Sequence, residues 1–225
     1  MNRIINAAKL DFYAGKSGLV TSSFLLIVAF AVGALSNIST FTCFLTMVFA
    51  VTACGAVFSA HEKSSSEKLY GILPIKKFEI ILGRYLYAFI VGIVFAAVAS
   101  LLSLLIPHIP HLAKIAAVPL TFTTYWGTIM LAFIYFCFAI GISFPIYFRF
   151  SFAKAYTFTM LPMYLVVILA VLLSRKTNFF VGLSHFMQFF TDHTYLIFIF
   201  GTLASLILII ISAIIANLIY KKKEI

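Results

Sequence analysis

Five stretches of this chain run for about twenty residues or more without one Asp, Glu, Lys or Arg: 17–61, 85–113, 115–148, 155–174 and 193–220. A helix needs about 20 mostly apolar residues to cross a ~30 Å hydrocarbon core, and a charge at its centre costs at least about 2.5–3.5 kcal/mol. The first stretch is long enough for two crossings, with a turn near Ser36-Asn37-Ile38-Ser39. Pro107 and Pro110 end the crossing in the second. The spacing predicts an all-α, polytopic membrane protein with six transmembrane helices, at roughly 18–36, 40–60, 86–106, 120–148, 156–173 and 195–219. The runs are continuous and do not alternate, which argues against a membrane β-barrel.

Composition supports this reading. The chain is 64% hydrophobic and 10% charged, against about 25% charged in a soluble domain. So few charges cannot solvate a compact particle of 225 residues, which excludes a soluble enzyme and a disordered tail. The net charge of +10 would suggest nucleic acid in a soluble protein; here it reads as topology, and no nucleic-acid partner is expected. With a cytoplasmic N-terminus, thirteen of the 16 Lys and Arg residues fall in inner segments, leaving only Lys114, Arg175 and Lys176 outside. Inner loops carry the basic excess in membrane proteins, so both termini are expected in the cytoplasm, in the plasma membrane. The first apolar run has no small-residue cleavage site after it and is read as an uncleaved span. Cys43, Cys54 and Cys137 lie in apolar runs at spacings that fit neither a metal motif nor a disulfide framework.

Catalytic motifs are absent where they would be expected. His61-Glu62 is followed by Ser65 where a zinc protease places its second His. There is no Gly-x-Ser-x-Gly turn. His108, His111, His185, His193 and Asp192 fall in outer loops, where Pro107 and Pro110 break any helix that would align the first pair for a metal. No formal charge sits mid-span, so an ion-coupled pump lacks its titrating group. Energy for uphill movement would then enter from outside the bilayer, through an ATPase docked on the cytoplasmic face. The alternative is an intramembrane enzyme, a scaffold or a passive pore with no ATPase partner.

The one substantial inner segment is 61–85. After Pro74, which suits a first helical turn, Ile75, Phe78, Leu82 and Tyr85 recur on one face, with Lys76, Lys77, Glu79 and Arg84 mainly off it. This is an amphipathic helix running into the third span. Residues 1–16 place Ile4, Ile5, Ala8, Phe12 and Tyr13 among Arg3, Lys9, Asp11 and Lys16, the pattern of a helix lying on the inner leaflet.

Phe58-Ser-Ala-His-Glu62-Lys63, then Glu67 and Tyr70, then Leu73-Pro74-Ile75-Lys76-Lys77-Phe78-Glu79-Ile80, then Gly83-Arg84-Tyr85-Leu86 resembles the cytoplasmic loop of type-2 ABC exporter (ABC-2) permeases. Lys9-Leu10-Asp11-Phe12 is similar to their N-terminal elbow helix. Within that class the chain looks like the short permeases of phenol-soluble-modulin and bacteriocin-type exporters of Gram-positive bacteria. The resemblance implies a single transmembrane permease domain over 1–225, with 1–16 as elbow helix and 61–85 as the coupling segment between spans two and three. It implies that two permease chains, alike or different, pair in the lipid bilayer. Separate ABC ATPase subunits would bind ATP and Mg, so this chain would carry no cofactor. It further implies that Glu62, Lys63, Glu67, Leu73, Pro74, Ile75, Lys76, Lys77, Phe78, Glu79 and Arg84 contact the ATPase. The expected cargo is a hydrophobic or amphipathic peptide or lipid-like molecule moved outward.

Overall fold

A computed structural model of the chain describes residues 2–36, 39–63, 77–105, 122–159 and 194–222. Among them the structure is helical, with no strand. The elements are α1 (Asn2–Ala14), α2 (Lys16–Ser36), α3 (Ser39–Lys63), α4 (Lys77–Leu105), α5 (Phe122–Arg149), α6 (152–159) and α7 (Thr194–Lys222). Among the described residues four helices are long and apolar enough to cross a membrane: α3, α4, α5 and α7. A fifth candidate is the pair α1–α2, which meets at a 62° bend. The bend falls at Gly15, where a side chain would collide with Val57 and with the Tyr87 hydroxyl. Of the expected fifth span, residues 156–159 belong to α6 and the remainder lies outside the described residues.

Helix lengths place the ends of the bundle. At 1.5 Å per residue, the 29 residues of α4 extend about 43 Å, well beyond a ~30 Å core. The helix is continuous from Lys77, so its first turns project past the hydrocarbon at the end richest in basic residues. The third span was expected from residue 86; the helix extends it by nine residues because the amphipathic stretch before it continues the same backbone hydrogen bonding.

Lipid tails are as apolar as Leu, so helix association in a bilayer depends on close packing and on interhelical hydrogen bonds. Both are present. α3 is the central helix, touching α1, α2, α4 and α5, and 56% of its apolar window is buried, against 11% for the peripheral α7. A Cβ on Gly18 would lie 2.2 Å from the Ala56 Cβ, so α2 and α3 meet backbone to backbone. The Tyr125 hydroxyl donates to the Ser100 carbonyl at 2.8 Å, joining α5 to α4. Tyr85 shares a hydrogen bond with Ser212, joining α4 to α7. The three cysteines are free and buried, as their apolar settings predict. Outward faces of α2, α4 and α7 carry Phe24, Ile27, Ile90, Val94, Ile210 and Ile214, all exposed, a surface suited to lipid.

Candidate functional site

At the basic end of the bundle α1, α3, α4, α5 and α7 converge on one buried polar cluster. α1 supplies Asp11. Its buried face is Ala7, Ala8 and Asp11, while Ile5, Phe12 and Tyr13 point out. Ala7 is seated against Gly83 of α4: a Cβ there would stand 2.7 Å from the Ala7 Cβ and 3.2 Å from both the Ala8 nitrogen and the Ile4 carbonyl. That close approach carries the Asp11 carboxylate, one turn after Ala7, inward beside the next residue of α4, Arg84.

Asp11 Oδ1 lies 2.8 Å from His61 Nε2. Its other oxygen, Oδ2, stands 3.8 Å from Arg84 Nε, an ion pair just beyond hydrogen-bond reach. The three residues are 1%, 5% and 2% exposed. A carboxylate only accepts hydrogen bonds, so the His61 hydrogen facing it sits on Nε2. The Arg84 guanidinium is held between two rings, 4.6 Å from the Phe58 centroid and 5.1 Å from that of Phe148. Planar, weakly hydrated Arg suits such a sandwich better than Lys. Phe58 is itself packed by Phe144, Tyr147 and Phe148. Phe148 meets Tyr220 of α7 at 5.6 Å, and Lys77 Nζ sits 5.8 Å over the Tyr220 ring. The start of α4 and the last turns of α7 thus share one end of the bundle.

Of the residues expected to face a motor, Phe78 is 44% exposed and Lys63 is exposed, while Lys77 and Glu79 are half-buried. Arg84 and Glu62 take partners within the chain. Arg84, expected at the surface, is turned inward to Asp11, because α1 covers its face of α4. Glu62 is exposed, and its Oε2 accepts a 2.6 Å hydrogen bond from the Phe152 backbone N–H, capping the positive start of α6. Glu67, Leu73, Pro74, Ile75 and Lys76 lie outside the described residues, as do the outer-loop histidines. The buried face at the start of α4 is Ile80, Ile81 and Arg84, so the stripe Phe78–Leu82–Tyr85 passes from exposed, through half-buried, to buried.

Asp11 and His61 were not singled out as functional residues from sequence. One signal was available for the first: Asp11 is the sole acid among the first 61 residues, set beside small apolar neighbours that let it approach another helix.

A second feature is a cleft of about 630 Å³ between α2, α3 and α6, within the ~300–1,000 Å³ of small-molecule sites. Ser17, Ser59 and Lys63 line it at the basic end, and Leu25, Leu45, Val48 and Phe49 line it deeper. Among the described residues no group of three or more His, Cys, Asp or Glu is placed to hold a metal.

Residues 9–221 match the family described as ABC-2 family transporter protein. A comparison with curated proteins gave no match.

Proposed function

Since the chain belongs to the ABC-2 transporter family, a family of membrane transport components, we propose that it is the permease subunit of an ATP-driven exporter. The match from residue 9 to residue 221 carries this reading, because it spans the helices and both ends of the inner segment. In this account the permease domain has six spans, with both termini in the cytoplasm and the bundle in the plasma membrane. α1 is the interfacial elbow helix, its apolar Ile5, Phe12 and Tyr13 turned toward the inner leaflet. Residues 61–85 are the coupling segment. Two permease chains pair, and ABC ATPase subunits bind ATP and Mg below them.

The mechanism follows from what a motor must grip. Force on a rigid element continuous with a span moves that span, and α4 is one unbroken helix from Lys77 to Leu105. Phe78, exposed at its start, offers an apolar anchor. The cleft supports an amphipathic cargo entering from the inner leaflet, with its polar end near Ser59 and Lys63 and its apolar part along Leu25 and Leu45.

The test is association. A neighbouring gene encoding Gly-x-x-x-x-Gly-Lys-(Ser/Thr), whose product co-purifies with this chain from membranes, is the expected result. Purification of the intact chain free of any ATPase, with no such gene beside it, would favour a scaffold or intramembrane enzyme instead.

A further inference from the structure

His61 and Arg84 stand at the two stems of the inner segment, one two residues from the last residue of α3 and the other in the second turn of α4. Both turn toward the same carboxylate. We propose that Asp11 is a positioning residue: it clips the two stems to each other and to α1, so that a push on the segment moves α1, α3 and α4 as one body. This rests on the permease reading above.

Three observations carry it. First, the contact is bidirectional. One oxygen of Asp11 faces α3 and the other faces α4, so the carboxylate bridges the two helices that flank the inner segment. Second, the cluster is dry. With all three residues at most 5% exposed, their attraction is little screened by water, unlike that of an ion pair on the surface. Third, α1 is seated by shape as well as by charge. Gly83 receives Ala7 with no space for a side chain between them, and Gly15 fits against Val57 and Tyr87. The Arg84 sandwich between Phe58 and Phe148 then extends the rigid unit into α5. A structure needing only stability would be served as well by apolar residues at these positions, since buried ion pairs are often matched by well-packed hydrophobic ones. An ionic bridge adds a fixed register between helices.

That comparison supplies the test. The triple variant Asp11→Leu/His61→Leu/Arg84→Met removes the bridge and leaves no buried charge uncompensated; Asp11→Asn is made beside it. Both are reconstituted with the ATPase, and substrate moved per ATP hydrolysed is measured. We expect the triple variant to insert and to hold the ATPase while transport per ATP falls by about 5–150-fold, the usual range of coupling between sites. Transport per ATP equal to wild type overturns the proposal. So does failure of the triple variant to insert or to bind the ATPase, which would make the cluster a folding element. A second measurement is independent of any motor. Spin labels at Tyr13→Cys and Phe89→Cys, both exposed positions, report the α1–α4 distance in the chain alone, with Cys43, Cys54 and Cys137 replaced by Ala. One narrow distance that broadens in the triple variant is expected. An unchanged distribution overturns the clip whether or not an ATPase binds, whereas a wild-type chain that binds no ATPase counts against the permease reading.

Discussion

Arg84 combines a buried charge, a ring sandwich and an ion pair in one side chain, so its substitutions separate those contributions. Arg84→Ala leaves Asp11 buried beside a lost counter-charge, and breaking a buried pair from one side costs about 3–5 kcal/mol. Arg84→Lys keeps the charge and loses the planar stack on Phe58 and Phe148. Thermal unfolding in a mild detergent should therefore rank wild type above Lys and Lys above Ala; equal midpoints for Lys and Ala would show that charge contributes nothing. Gly83 gives a steric counterpart. Gly83→Leu places atoms where Ala7 and the α1 backbone already stand, a clash of about 1–3 kcal/mol. Gly127→Ala meets only the edge of Phe198 at 3.3 Å and should lower the midpoint much less.

At the scale of elements, the helices were legible because their signal is local. Charge-free runs give length and place, and α3, α5 and α7 begin and end within about three residues of the expected limits. Burial along the start of α4 was not legible in the same way. A 3-4-3 stripe shows that Phe78, Leu82 and Tyr85 follow one another around the helix, but which part of that face is covered depends on where α1 lands. Asp11, His61 and Arg84 sit on three different helices, and no periodicity connects them. The structure leaves Phe78 outward and draws Arg84 inward, which sharpens the expectation for the coupling segment. An apolar anchor that becomes desolvated on binding often contributes 2 kcal/mol or more, against little for a rim charge. Phe78→Ala should thus weaken ATPase co-purification about thirtyfold, on the usual conversion of 1.4 kcal/mol per tenfold, and more than Lys76→Ala/Lys77→Ala. Charge reversal at half-buried Glu79 (Glu79→Lys) should also weaken it. If the double lysine variant alone abolished association, lipid-like electrostatics would replace the anchor.

For the whole molecule, the family and the helical architecture agree with the reading of composition, whereas the cleft proposed for the cargo is formed only by three-dimensional packing. The cleft joins Ser17 and Leu25 of α2 to Leu45 and Lys63 of α3, residues brought together only because Gly18 and Ala56 let the two helices touch. The orientation proposed for the bundle rests on the basic excess, and it predicts that cysteines placed at Ser65 and Asn178 react with impermeant reagents from opposite sides of the membrane; labelling of both from outside would overturn it. The central claim is that this chain converts ATP hydrolysis by a partner into movement of an amphipathic molecule. The direct measurement is uptake of a fluorescent amphipathic peptide into inside-out vesicles containing the permease and its ATPase. The account predicts ATP-dependent accumulation that stops with Phe78→Ala; accumulation that proceeds equally without ATP, or with the permease omitted, would contradict it.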